Sequence, residues 1–374
     1  MPLPIHKSTR ILHVITPSRM AGAETFLARF LRRTDGGRAR HRCISSRSPA
    51  VVEMRAARIE LETLGIGGKA NPLALPRLAE AVRRHNADLL HSHLSTASWW
   101  CGWLERFGGP PSIGHVHGFT SALWHRQQKH LIACSAAVKQ DLMAKRIPAE
   151  RITVMHYPVD PDDMRPARDA AALRAGIGAA ADAPVIGTFA HLSLKKGYRE
   201  LVRAAEIVLR RLPTAQFWCF GEGPLRGELE ATARGLGIAD RFKLLGFRRE
   251  VPDLMRAIDV MCLPSHREPF GLVYVEAALA EKPVIACNAG GAPEIIVHGE
   301  TGLLVPPPGA TSNIAPLAEA ILAILVSRDR ATAMGRRGRE LVIERFGWPR
   351  YLAQLDELYE RGLNRPSATL RQAA

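Results

Sequence analysis

A chain of 374 residues is long enough for two domains of ordinary size, and its 47% hydrophobic content is that of a globular protein. No apolar run reaches the ~20 residues that cross a bilayer, and six scattered cysteines without a C-x-x-C pair read as buried thiols, not as a disulfide framework. The net charge of +15 is concentrated early, with 24 basic against 13 acidic residues up to Arg165 and 27 against 23 beyond it. Basic residues spread over helices, with no zinc-finger spacing, aromatic-rich strand motif or recognition helix, argue against nucleic acid. An anionic membrane surface is the counterpart that remains.

Apolar strands alternate with amphipathic helices along the whole chain, the pattern of α/β layers built on parallel sheets. Residues 11–15 form a compact first strand, so the N-terminus is read as structure, not as a signal peptide, and the protein is expected in the cytoplasm. Gly22 is the one glycine in the loop that follows. A helix over residues 24–33 sets Phe26, Leu27, Phe30 and Leu31 against Arg29, Arg32 and Arg33. Its apolar face suits a core, while its arginines are either solvated or rest on anionic lipid.

A helix over residues 73–85 leads into a strand over residues 88–93, where period-2 spacing puts His91 and His93 on one face. Trp99, Trp100 and Trp103 follow in a helical segment, as core or as a sugar platform. The next strand ends in His115 and His117. Four histidines at the carboxyl ends of two strands raise the question of a metal. No carboxylate or cysteine completes a ligand set, and none is expected. Ser135 is placed to cap a helix. The segment 161–183, rich in Pro, Asp, Ala and Gly, reads as a linker between domains spanning 1–160 and 184–347.

The second domain opens with a strand over residues 185–189 and a turn holding Lys195 and Lys196 before Gly197. Strands over residues 217–221 and 243–247 end in Gly-Glu-Gly-Pro and in Gly246-Phe247. After the strand 260–263, a helix beginning near Phe270 would point unpaired N–H groups and a positive dipole end out of the sheet, which attracts phosphate. Eight helical residues turn through about 800°, placing Glu268 and Glu276 within roughly a quarter turn of each other. Two ionised carboxylates accept from hydroxyls, such as those of a sugar and a ribose flanking a phosphate. Adjacent Gly290 and Gly291 let backbone approach a ligand or take positive φ.

The runs EPFGLVYVEA, PVIA, GGAPEII and GETGLLVPP, spanning Glu268 to Pro307, resemble the signature of retaining glycosyltransferases of family 4. The resemblance covers most of the chain and is densest over residues 185–308. It implies the GT-B fold, two Rossmann-like doubly wound domains facing each other across a cleft, with a helix over 348–364 crossing back to the first. In that family Glu268 would bind donor-sugar hydroxyls and Glu276 the ribose. The amides of Phe270, Gly271 and Leu272 would hold the diphosphate with Lys196, the Lys of a G-R-L-x-x-x-K-G motif. His191 stands where that motif has Arg, a departure, since imidazole offers no permanently charged fork; either Lys195 or another arginine would share the task, or the donor would be bound more weakly.

Gly246 and Phe247 would lie near the base, and Gly22 would approach the donor, with Ala21 where a second glycine often sits. His117, in a VHG-like motif, would act beside Glu268 at the reaction centre, with His93, Trp99 and Trp100 on the acceptor side. Tyr157 and Pro158 replace the family's Asn-Gly, so a positive-φ turn there must be absent or shifted.

The resemblance thus implies transfer from a UDP- or GDP-linked sugar to a saccharide or lipid-linked saccharide, with retention and without a metal. Lipopolysaccharide or another envelope polysaccharide is the expected setting, with the enzyme peripheral on the inner face of the cytoplasmic membrane. Two carboxylates at one helix end cannot flank a glycosidic bond as in a retaining glycosidase, which leaves the family's front-face route. A nucleotide-sugar epimerase of the same fold and a non-catalytic binder of anionic polymer are the alternatives.

Overall fold

The computed structural model describes residues 9–18, 22–34, 37–56, 59–308 and 313–364. They divide into two compact units, one running to Tyr157 and resuming at Pro349, the other running from Pro158 to Trp348. In the first unit the chain runs β1 (Arg10–Ile15), α1 (Gly22–Thr34), β2 (Arg40–Ser46), α2 (Ala50–Ala56), β3 (Glu62–Leu64), α3 (Ala74–His85), β4 (Leu89–His93), α4 (Ser95–Arg106), β5 (Ser112–Val116), β6 (His130–Ala133), α5 (Ala136–Ala144) and β7 (Ile152–Val154). The seven strands form one sheet in the order β3-β2-β1-β4-β5-β6-β7, parallel throughout.

Strand alternation gives this sheet two different faces. Leu12, Val14, Ile44 and Leu90 join Leu78, Ala97, Cys101 and Leu104 of α3 and α4 in one aliphatic core. On the other face His13 is the register partner of His91, and His93 of His115. Rings cover that side: Phe30 lies 5.2 Å from His13 and Phe26 5.2 Å from His115. Ser135 caps α5 as expected, its hydroxyl accepting from Val138 N at 3.0 Å.

The second unit runs α6 (Ala170–Ile177), β8 (Val185–Phe189), α7 (Tyr198–Arg211), β9 (Gln216–Phe220), α8 (Arg226–Gly235), β10 (Phe242–Gly246), α9 (Val251–Ala257), β11 (Val260–Leu263), α10 (Leu272–Leu279), β12 (Val284–Cys287), α11 (Ala292–Ile295), β13 (Gly302–Val305), α12 (Ile314–Leu325) and α13 (Arg328–Phe346). Its six strands, also parallel, are ordered β10-β9-β8-β11-β12-β13. The order reverses at β8/β11, and ligands of open α/β sheets bind at such a switch point.

Residues 161–183 are not a free linker. Asp253 accepts from the amides of Ala167 and Arg168, and Arg174 of α6 bonds Asp259 at 3.2 Å, which makes the segment part of the second unit. The last helix, α14 (Trp348–Leu363), has Tyr351 and Tyr359 buried in the first unit against Phe26 and His91. The six cysteines are buried and form no disulfide among the described residues, and no described helix is long and apolar enough to cross a membrane.

Candidate functional site

The loop leaving β8 is held from beneath by the Gly-Glu-Gly-Pro turn. Ala190 N donates to Phe220 O and Leu192 N to Glu222 O, at 3.0 and 2.9 Å. A Cβ on Gly221 or Gly223 would stand 2.0 Å from Ala190 O or 2.3 Å from Leu192 O, so only glycines let the two segments meet. The loop then tightens into a 3-10 turn, Leu194–Lys196, and ends at Gly197 in the left-handed conformation, φ 73°. This bracing leaves His191 and Lys195 exposed and turns Lys196 inward.

Lys196 Nζ meets Glu268 Oε2 at 2.6 Å, both side chains less than one-fifth exposed. Glu268 is itself clamped by the backbone: it forms a parallel bridge with Gly290, and Gly291 N donates to Glu268 O at 2.8 Å. A Cβ on Gly290, at φ 62°, would lie 2.1 Å from Glu268 O. The adjacent glycines therefore serve close approach to the Glu268–Phe270 backbone. We expect Gly290→Ala to cost about 2–3 kcal/mol in urea unfolding, from a strained φ and a backbone collision together; a loss below about 0.5 kcal/mol would show that the clamp is slack.

Of the expectations for this stretch, one is sharpened and two are corrected. The helix begins at Leu272, two residues beyond Phe270, because Gly271 at φ 105° forms its N-terminal boundary and Tyr274 N already donates to Gly271 O. Phe270 is 2% exposed and meets Phe346 edge-on at 5.6 Å, so it anchors the loop in the core. Glu268 and Glu276 do not share a helix: the first sits in an extended bridge, the second in α10. The amides that open α10 are those of Leu272 and Val273, beyond the reach of intrahelical bonds.

Gly246 takes φ 76° and its carbonyl accepts from Gly221 N at 2.8 Å, while Phe247 stands 67% exposed with the Arg249 guanidinium 5.8 Å over its ring. An exposed ring at the end of β10, beside the Lys196 loop's own support, is free to stack on a planar group. Gly22 is the first residue of α1 and exposed, not a loop glycine; Arg19 to Ala21, including the Ala21 position, lie outside the described residues.

In the first unit the expected histidines come together with two more. His41 Nδ1 lies 2.9 Å from His13 Nε2, His13 Nδ1 lies 3.1 Å from His93 Nε2, and His93 Nδ1 lies 3.0 Å from His117 Nε2. His117 Nδ1 reaches Tyr157 OH at 2.6 Å. His91 Nδ1 meets Tyr359 OH at 2.6 Å, while His91 Nε2 and both nitrogens of His115 have no partner. Burial holds all six rings neutral, lowering His41 to about 4 and His117 to about 3 and the others well below their ordinary value. Among the described residues, His13 with His91 and His93, and His93 with His115 and His117, are grouped closely enough for a metal ion.

Both ring nitrogens of His117 are thus engaged within the unit. His93 is fully buried and presents no ring to an acceptor, because period 2 directs it under α1. Trp99 and Trp100 do not join it: α4 packs on the opposite, aliphatic face. Trp100 donates to Gly68 O at 2.9 Å, and Trp99 stands edge-on to Trp103 and Trp124. Sequence reasoning missed His13, His41 and Tyr157. Their only local signal was a polar ring inside or beside an apolar strand. Tyr157 takes no positive φ, so the family's Asn-Gly turn is absent there, and its hydroxyl supports His117 instead.

Residues 20–163 match the family model described as Glycosyltransferase Family 4, and residues 169–341 match the one described as Glycosyl transferases group 1. A GDP-mannose-dependent alpha-(1-6)-phosphatidylinositol monomannoside mannosyltransferase of Mycobacterium tuberculosis is 33% identical over 56% of this chain and 55% of its own length. The chain thus spans about half of that relative. A D-inositol 3-phosphate glycosyltransferase of Thermobispora bispora is 34% identical over 76% of this chain and 72% of its own. Among solved structures, the crystal structure of Anabaena HepE in complex with UDP is 25% identical, covers 94% of this chain and 100% of that one, and superposes with a TM-score of 0.82.

Proposed function

The chain belongs to glycosyltransferase family 4, and from that premise we propose that it transfers a sugar from a nucleotide-diphosphate sugar to an acceptor hydroxyl, with retention at the anomeric carbon. The observation that carries this reading is the Lys196–Glu268 pair at 2.6 Å, held on glycine-braced backbone where the strand order of the second sheet reverses. Lys196 and the opening amides of α10 would neutralise charge growing on the diphosphate as the glycosidic bond breaks, the largest source of acceleration in such a site. Glu268, freed from the ammonium by the incoming donor, would accept from sugar hydroxyls, and Glu276 from the ribose. His191 and Lys195, both exposed, would flank the diphosphate with Lys196.

With a lysine and a helix end to meet the phosphates, the reaction needs no divalent ion, and transfer in excess EDTA should match the untreated rate. The first relative's name gives GDP-mannose as its donor, and the solved neighbour binds UDP, so the donor is read as GDP- or UDP-linked. The basic first unit suits an acceptor that is anionic or sits on an anionic lipid surface. Lipid-linked or saccharide acceptors of envelope polysaccharide or lipopolysaccharide synthesis, made at the inner face of the cytoplasmic membrane, fit that charge. Failure to bind anionic liposomes at low salt would remove the membrane part of this reading.

The test is thermal stabilisation. A ligand at one hundred times its dissociation constant adds about 2.7 kcal/mol, which for a unit of this size is a rise of roughly 5–10 °C. One nucleotide diphosphate should give that rise, and Glu276→Ala should abolish most of it. Equal or absent shifts for uridine, guanosine and adenosine diphosphates would refute a donor site on the second unit.

A further inference from the structure

The ring chain under α1 has a property that no single pair in it has. A neutral imidazole carries one N–H and one acceptor nitrogen. His13, His93 and His117 each use both nitrogens in the bonds described, and His41 contributes its Nδ1. Only two proton arrangements then satisfy every link. In one, all four rings carry the proton on Nδ1 and donation runs from His41 toward the Tyr157 oxygen. In the other, all four carry it on Nε2, and donation runs from the Tyr157 hydroxyl toward His41. A mixed set leaves either two donors or two bare lone pairs facing each other in a buried site, at the cost of an unmade hydrogen bond.

The two ends differ. His41 is half-buried and lines a cavity of about 310 Å³ between α1 and α14, together with Arg33, Arg38 and Asp356. Arg38 and Asp356 pair there at 3.4 Å. His41 is thus the end of the chain that shares a cavity with charged groups, whereas the inner links are sealed by Phe26 and Phe30, which stand 5.9 Å from His117 and 5.2 Å from His13. His91 and His115 lie against the chain, with ring centroids 4.4 Å from His93 and 4.1 Å from His117, but share no hydrogen bond with it.

We propose that His41, His13 and His93 are positioning residues for His117, acting as one hydrogen-bond chain in which all four rings adopt the same tautomer, so that the environment of His41 sets the proton position on His117. The chain also fixes the ring planes, since rotating His13, His93 or His117 breaks two bonds and rotating His41 breaks one. A bearing on transfer rests on the glycosyltransferase reading; the tautomer itself does not.

The experiment is long-range nitrogen–proton NMR of ¹⁵N-labelled full-length protein, which separates protonated from bare ring nitrogens. The wild type should show His13, His41, His93 and His117 each as a single and common tautomer. His41→Ala, a change at the outer end, should convert His117 to a mixture of both tautomers, and His41→Gln, whose amide can again face His13 Nε2, should restore one. His130, bonded to Thr153 Oγ1 at 2.9 Å and outside the chain, serves as the folding control and should not move. Tyr157→Phe cuts the inner end and should likewise release His117. Opposed tautomers in the wild type, or an unchanged His117 in His41→Ala, would overturn the proposal. So would stoichiometric zinc or copper in the purified protein, which would replace the chain by coordination. The same spectra with and without nucleotide diphosphate separate this outcome from failure of the donor site.

Discussion

Lys196→Ala should lower kcat/KM for sugar transfer by about 10²–10³-fold, the cost of removing one preorganised electrostatic contact from a developing oxyanion. The argument is geometric before it is electrostatic. Gly197 cannot carry a side chain, since a Cβ there would stand 2.0 Å from Pro264 O, and this close approach sets the ammonium against Glu268 instead of in solvent. The loss should fall on kcat more than on KM, because charge on the leaving diphosphate grows as the bond breaks. Lys196→Arg keeps the charge but spreads it over a planar fork, and should recover only part of the rate. A control is needed for Glu268, which the alanine variant leaves without its 2.6 Å partner. Glu268→Gln in the Lys196→Ala background should not restore activity if the ammonium acts on the phosphates. Steady-state kinetics with the donor identified by thermal shift decides it, and a loss of less than threefold would remove Lys196 from the diphosphate site.

How far the chain could be read without coordinates follows from the range over which each feature is determined. The strands Val185–Phe189 and Val260–Leu263 and the start of the closing helix at Trp348 agree with expectation to the residue, since each is an apolar run bounded by its own turn residues. The helix after Glu-Pro-Phe-Gly starts two residues beyond Phe270 because its start depends on Gly271 taking φ 105°. That conformation is imposed by packing: Tyr274 lies over the glycine and sends its hydroxyl to Leu263 O. The adjacent glycines are expected to approach a ligand or take positive φ; Gly290 does take φ 62°, but what they approach, the Glu268 backbone, comes from a bridge between segments about twenty residues apart. His91 with His93 is a local, period-2 pairing and was legible. Joining His13 and His41 to them requires knowing that β1 lies between β2 and β4. That is a statement about sheet order, which no window of sequence contains.

The histidine face also makes the first unit fragile in acid, and this is the second large effect. The folded protein holds His13, His41, His91, His93, His115 and His117 neutral, with His41 lowered to about 4 and His117 to about 3. Desolvation is the first cause in each case. The unfolded chain protonates each ring near 6.5, so between there and the folded values the unfolded state binds more protons. Stability is therefore complete above about pH 6.5 and falls as pH drops. His41 and His117 alone remove about 3 kcal/mol by pH 5.5, and the other four rings act in the same direction, against a whole-domain stability of about 5–15 kcal/mol. The melting temperature should fall by at least roughly 5–10 °C between pH 7.5 and 5.5, with loss of near-ultraviolet circular dichroism on the same curve. His115→Phe offers a finer check. Its ring has two buried nitrogens without partners and lies 5.2 Å from Phe26, so an apolar ring of similar shape should be tolerated at neutral pH. The variant should also lose one proton from the slope, about 1.4 kcal/mol per pH unit. A melting temperature constant to within a few degrees from pH 7.5 to 5.5 would mean that the face admits protons without unfolding, and that the rings are not the sealed neutral stack that Phe26, Phe30 and α14 make of them.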